Sequence, residues 1–309
     1  VDSQLDRLAV RFLIAIFLMF ACPAWSHDAR QEGVAIFRQW AFEPWVVACL
    51  LLCALLYVLG AWRLLHRMRH GRRRFAWQCL SFAAGWLALV AALISPLDAL
   101  GGWLFSAHML QHELLMIVAA PFLVLGRPLA VWLWAFSSQR RQRTARVARW
   151  PLVSAVWSTI THPVVAWLLH AAVLWLWHVP ALFQAALSSN PLHVVQHLSF
   201  FLSALLFWWA IIGESSLRPS RGGAMLFLFT TMLHTGALGA LLTVSDGIWY
   251  PAYDATNQAL GMDPLEDQQL GGLIMWIPGA LAYVAGGLAL GMQWLSDRET
   301  SSTVRMTRS

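Results

Sequence analysis

The sequence predicts an all-α protein, a polytopic membrane helical bundle with seven transmembrane helices after an N-terminal signal or anchor segment. Three observations predict it. The chain is 59% hydrophobic with only 12% charged residues, its apolar residues gather in runs long enough to cross a bilayer, and its arginines occupy alternate gaps between those runs. The net charge of +6 is a topology signal and not a nucleic-acid footprint, because all 21 basic residues are arginine and most sit in short clusters beside apolar runs.

The first segment, RLAVRFLIAIFLMFACPAWSHDA, sets arginines before an apolar run, then Pro23 and the small-residue stretch Ala24, Trp25, Ser26. That is the order of a secretory signal cleaved near Ser26, with an uncleaved anchor as the alternative. Residues 1–26 are assigned to this segment, 27–297 to the transmembrane domain and 298–309 to a cytoplasmic tail. Apolar runs at 45–63, 76–95, 104–125, 160–179, 192–212, 223–244 and 270–294 supply the seven spans. Arginines follow the odd-numbered spans, in WRLLHRMRHGRRR, RRQRTARVARW, RPSR and the final Arg298, Arg305 and Arg308, which places those connections in the cytoplasm. The connections SPLDALGG, HVPALFQAALSSNPL and SDGIWYPAYDATNQALGMDPLEDQQ have no arginine and face outward, so the mature N-terminus is outside and the C-terminus inside. LAVWLWAF, after the third span, is expected along the cytoplasmic interface or as the end of that helix.

The candidate site is written in histidines. HMLQH at 108–112 recurs as HVVQH at 193–197, and residues four apart on a helix are neighbours about 6 Å apart. Each copy therefore presents a pair of imidazoles, His108 with His112 and His193 with His197. The third and fifth helices run in the same direction and each copy begins near the helix start, so both pairs are expected at one depth near the outer surface, with His178 of LWLWHVP at that level too. Imidazole is the commonest protein ligand for transition metals, and ionisable residues inside a membrane are functional candidates by default. The structural alternative is that these rings hydrogen-bond across helices as packing glue. Gln111, Gln196 or Glu113 are candidate partners to orient the ligating rings. His170 and His234 are expected deeper, and His234 would extend a metal path inward.

Other residues admit two readings. Met109 stands beside a histidine and is a candidate thioether ligand for Cu(I), while single methionines in apolar helices commonly fill cores. Asp267 either caps the start of the seventh helix or faces the histidine layer as an oxygen ligand. Cys49 and Cys53, four apart on the first helix, are either a soft-metal pair or small packing residues.

HMLQHELLMIVAAPFLVLGRP, LWLWHVPALFQAAL, HVVQHLSFFLSALLFWW and DQQLGGLIMWIPG, in that order across residues 40–295, resemble the CtaG family of caa3-type cytochrome c oxidase assembly proteins. The resemblance implies a multi-pass protein of the bacterial inner membrane that helps copper reach a haem-copper oxidase. Its partners would be cytochrome c oxidase subunits, a copper donor protein and the lipid bilayer, with no nucleic acid. The family's histidine pairs correspond to His108, His112, His193 and His197, and its WHxP block to His178. Glu113 stands where the family is expected to carry an apolar residue. The unrelated single-anchor copper chaperone of the same name has a soluble β domain, which a chain of seven spans does not contain. No nucleotide-binding or nucleophile motif appears, so the expectation is an assembly factor and not an enzyme. A b-type haem protein with His112 and His197 as axial ligands, a copper or proton transporter using His170 and His234, and a scaffold without metal are the competing readings.

Overall fold

A computed structural model describes residues 39–214 and 217–306. The signal segment, with its cleavage site near Ser26, lies outside the described residues. Among the described residues every regular element is helical. The principal rods are α1 (Pro44–Leu65), α2 (Arg72–Leu93), α3 (Phe105–Gly126), α4 (Pro163–Trp177), α5 (Asn190–Ile212), α6 (Arg221–Thr243) and α7 (Pro264–Met306). Proline opens many of the helices, including those at Pro44, Pro96, Pro128, Pro151, Pro163 and Pro180. A first-turn residue loses no intrahelical bond by lacking an N–H, and the ring presets a helical φ.

Six helices are long and apolar enough to cross a membrane, and a seventh crossing exists only if Pro151–Ile160 and α4 count together despite a bend of 63°. The run expected as one span at 160–179 is helical from Pro163 to Trp177, and the bend falls at its start. Ahead of Pro163, His162 is held extended at ψ 130°, because the proline ring disfavours a helical residue before it. The 15 residues of α4 reach only about 22 Å, less than the hydrocarbon thickness of roughly 30 Å. The stretch LAVWLWAF does not continue α3. Arg127 takes a left-handed conformation that ends α3, and the helix Pro128–Trp134 then packs along α1. Trp132 Nε1 donates to the Cys53 carbonyl at 3.0 Å, and a Cβ on Gly60 would stand 2.0 Å from the Val131 carbonyl oxygen, so α1 admits its neighbour only because that residue has no side chain.

α3 is the central rod. Of its most apolar window 61% is buried, against 22% for α2 and α7, whose outward leucines are left for lipid. Two devices fix it. Asp267 of α7 accepts from Phe105 N at 2.6 Å and Ser106 N at 3.1 Å and also takes the Ser106 hydroxyl, so the open amides at the start of α3 are satisfied by a neighbouring helix. Lower down, Pro121 has no N–H and crowds the preceding turn, and Leu114–Ala119 widens into π-helix. Trp208 Nε1 of α5 donates to the Met116 carbonyl within that widened turn at 3.0 Å. α6 and α7 meet along glycines: a Cβ on Gly272 would come within 2.7 Å of the Gly239 carbonyl oxygen and of Thr243 N. In lipid, where burial of apolar surface does not drive association, such close approach supplies the contact energy.

A buried histidine cluster at one end of the bundle

Helical spacing pairs the rings, and the packing of α3 on α5 joins the pairs. Ring centroids lie 4.4 Å apart for His108 and His112 and 4.2 Å for His193 and His197. Between helices they lie 5.3 Å apart for His108 and His193, 5.4 Å for His108 and His197, and 4.9 Å for His112 and His197. His178, at the end of α4, packs on Phe200 and Phe183, the phenyl rings that also touch His112 and His108. One ligand nitrogen from each of His108, His193 and His197 lies within 4.8 Å of the other two. Nitrogens bound to a single ion at about 2 Å stand closer than that, and small ring rotations cover the difference.

The hydrogen bonds assign the tautomers of two rings. His178 Nδ1 meets the Leu174 carbonyl at 2.7 Å, and a carbonyl can only accept, so the proton is on Nδ1. His108 Nδ1 faces the Gly101 carbonyl at 3.2 Å and the Tyr253 oxygen at 3.1 Å, while the Tyr253 hydroxyl donates to that same carbonyl at 2.9 Å. His108 Nδ1 therefore carries its proton too. Both rings turn a bare Nε2 inward, and His108 Nε2, His178 Nε2, His193 Nε2, His197 Nε2 and both nitrogens of His112 are buried without a hydrogen-bond partner. Buried polar atoms usually have partners, so six such nitrogens gathered in one place form a candidate donor set. A soft or borderline cation that accepts several neutral imidazoles fits that donor set.

Aromatic side chains roof the cluster. Phe183 packs 5.2 Å from His108 and 4.4 Å from Tyr250, and Tyr250 donates to the His178 carbonyl at 2.8 Å. Burial pushes the Tyr253 phenol well above its ordinary value, with the Asp267 charge adding to the effect, so it stays a hydroxyl donor. His108, His112, His178 and His197 are all buried, and His193 alone of the five rings is partly exposed.

Other candidate residues lie elsewhere. Met109 is fully buried, but it sits in the cluster of Phe105, Tyr250 and Met275, against Gly271 of α7 and turned from the histidines. The Asp267 carboxylate is committed to the first amides of α3, a capping role served for a neighbouring helix. His234 lies edge-on to Trp167 of α4, 6.0 Å between ring centroids, outside the cluster. His170 bonds Ser203 at 3.1 Å and stacks on Phe207. Gln111 does not orient a histidine: its amide donates to the Ala92 carbonyl and to Asp98, each at 2.7 Å, tying α3 to the end of α2. Glu113 points at α7, where a Cβ on Gly279 would meet its Oε2 at 3.4 Å. Cys49 and Cys53 carry free thiols. Tyr253, Tyr250 and Phe183 escaped the reading of the sequence. For the two tyrosines the signal was the aromatic content of the outer connection GIWYPAYD, which is high for a solvated loop, while Phe183 stands alone in HVPALFQAALSSNPL.

Fold and site together define a class: an all-α, multi-pass membrane protein that buries a histidine cluster beneath an aromatic roof. The sequence profile of the family described as cytochrome c oxidase caa3 assembly factor (Caa3_CtaG) matches residues 55–297, and the chain belongs to that family. It is 29% identical over 294 residues to uncharacterized proteins of Mycobacterium bovis and Mycobacterium tuberculosis, an overlap of 93% of this chain and 43% of each relative. An uncharacterized protein of Mycobacterium leprae is 27% identical over 267 residues, or 84% of this chain and 40% of the relative. The chain thus spans less than half the length of these curated relatives. No solved structure matches it.

Proposed function

We propose that this chain takes copper into the histidine cluster and passes it to a subunit of a haem-copper cytochrome c oxidase during assembly. The observation that carries this reading is the convergence of His108, His112, His178, His193 and His197 with six unpartnered buried nitrogens. The arginine distribution supports a periplasmic cluster and a cytoplasmic C-terminus. Copper is cargo, received from a donor protein and surrendered by ligand exchange, which breaks no covalent bond and needs no catalytic residue. His193, the accessible ring, is the first ligand an incoming ion meets and the last it leaves.

The haem reading has less support. Axial ligation needs a porphyrin between His112 and His197, and their rings already touch edge-on at 4.9 Å. Metal and haem analysis of the purified protein separates the two, with copper in stoichiometric amount and no Soret band expected. A Soret band with stoichiometric iron overturns the proposal. In cells whose oxidase depends on this chain, replacing His108, His112, His193 and His197 by alanine is expected to leave an oxidase deficient in copper. Normal copper in that oxidase would favour a scaffold role.

Tyr253→Phe tests the orientation of His108. It removes the hydroxyl that meets Nδ1 without opening the roof, and copper affinity is expected to fall roughly 10-fold, the low end for loss of a ligand's supporting partner. Competition against a Cu(I) chelator measures it.

A further inference from the structure

The arginine-rich end of the bundle holds a cavity of about 380 Å³ between the end of α1 and the chain that follows Pro128–Trp134. Its walls include Arg63, His66, Arg67 and Arg141, the indoles of Trp62 and Trp134, and no carboxylate. The cations are brought together by the fold. Helix Pro128–Trp134 lies against α1 at Gly60, so the next helix, Ser138–Ala148, begins beside the last turn of α1. Arg141 then stacks on Trp134 at 4.0 Å, and Arg67 reaches the same ring from α1 at 5.8 Å. Arg63 donates to the Ala135 carbonyl at 2.8 Å, which fixes the back wall. Glu214, the acid described at this end, is engaged by Arg127 and Arg74 and does not line the cavity.

We infer that this cavity binds the phosphate of an acidic phospholipid headgroup. Guanidinium groups converging from two helices suit a phosphate diester, and a basic pocket at the end of a span is where an anionic headgroup meets protein. Trp62, in the cavity wall, and Leu65, three residues further along α1, are both exposed and offer the acyl chains an apolar surface, which free phosphate would not use.

The test is lipid retention through detergent washing, read by native mass spectrometry on protein reconstituted with equal phosphatidylglycerol and phosphatidylcholine. The wild type is expected to keep one phosphatidylglycerol that excess inorganic phosphate does not displace. Arg67→Gln with Arg141→Gln is expected to lower that retention roughly 30-fold, from the loss of two basic contacts. Arg143→Gln with Arg146→Gln removes the same charge from exposed positions and is expected to change nothing. Equal retention of phosphatidylcholine, displacement by phosphate, unchanged retention in the first variant or equal loss in the second would each overturn the assignment.

Discussion

Alanine at His108 or at His197 is expected to weaken copper binding by more than about 100-fold, beyond the loss that follows when only a ligand's outer partner is removed. Each of these rings touches members of both pairs: His108 contacts His112, His193 and His197, and His197 contacts His193, His108 and His112. Removing either takes away one of the three rings whose nitrogens lie within 4.8 Å of one another. His66→Ala, at an exposed ring that hydrogen-bonds its own helix at the Trp62 carbonyl, is the control and should bind as the wild type does. Competitive Cu(I) titration of the purified variants decides it. Wild-type affinity in both cluster variants would remove the site from the histidines altogether.

Gly272→Val is expected to cost the bundle about 3 kcal/mol or more, because overpacking a tight contact must move backbone. A Cβ at this position would stand 2.7 Å from the Gly239 carbonyl oxygen, Thr243 N and Thr243 Oγ1, and two of those atoms belong to main chain that cannot swing aside. The seam it would open joins α6 to α7, and α7 in turn caps α3 through Asp267. Loss of thermal stability in detergent should therefore be accompanied by loss of copper binding, although residue 272 touches no histidine. Gly287→Ala adds a methyl where nothing lies within 4 Å, and should hold or raise stability. Equal melting of Gly272→Val and wild type would show that the helices do not approach as described.

The histidine cluster was legible because two periodicities reinforce each other: four residues return to the same helical face, and parallel helices repeat the same depth. Direction about the axis was harder to read. Met109 follows His108 in sequence but points some 100° away around the helix, which carries it to α7 and not to α5. Gln111 and Glu113 turn from the cluster for the same reason, toward α2 and α7. The start of the fourth span was legible at His162, where the ring of Pro163 disfavours a helical residue, but not the separate helix that precedes it at a bend of 63°. For Asp267 the sequence offered a cap on its own helix or an oxygen ligand at the histidine layer, and its carboxylate accepts from the first amides of α3. That it serves α3 instead is a tertiary fact, set by the crossing of two rods that no local pattern encodes.

The aromatic lid bears on how selectively a cargo could leave. On the proposed copper reading, an ion beneath Phe183, Tyr250 and Tyr253 would be sheltered from diffusing thiols and chelators, because His193 alone of the five rings is partly exposed. A docking protein that levers those rings aside gains what small competitors are denied. Fidelity of hand-over would then be kinetic, arising from who can lift the cover and not from who binds the metal most tightly.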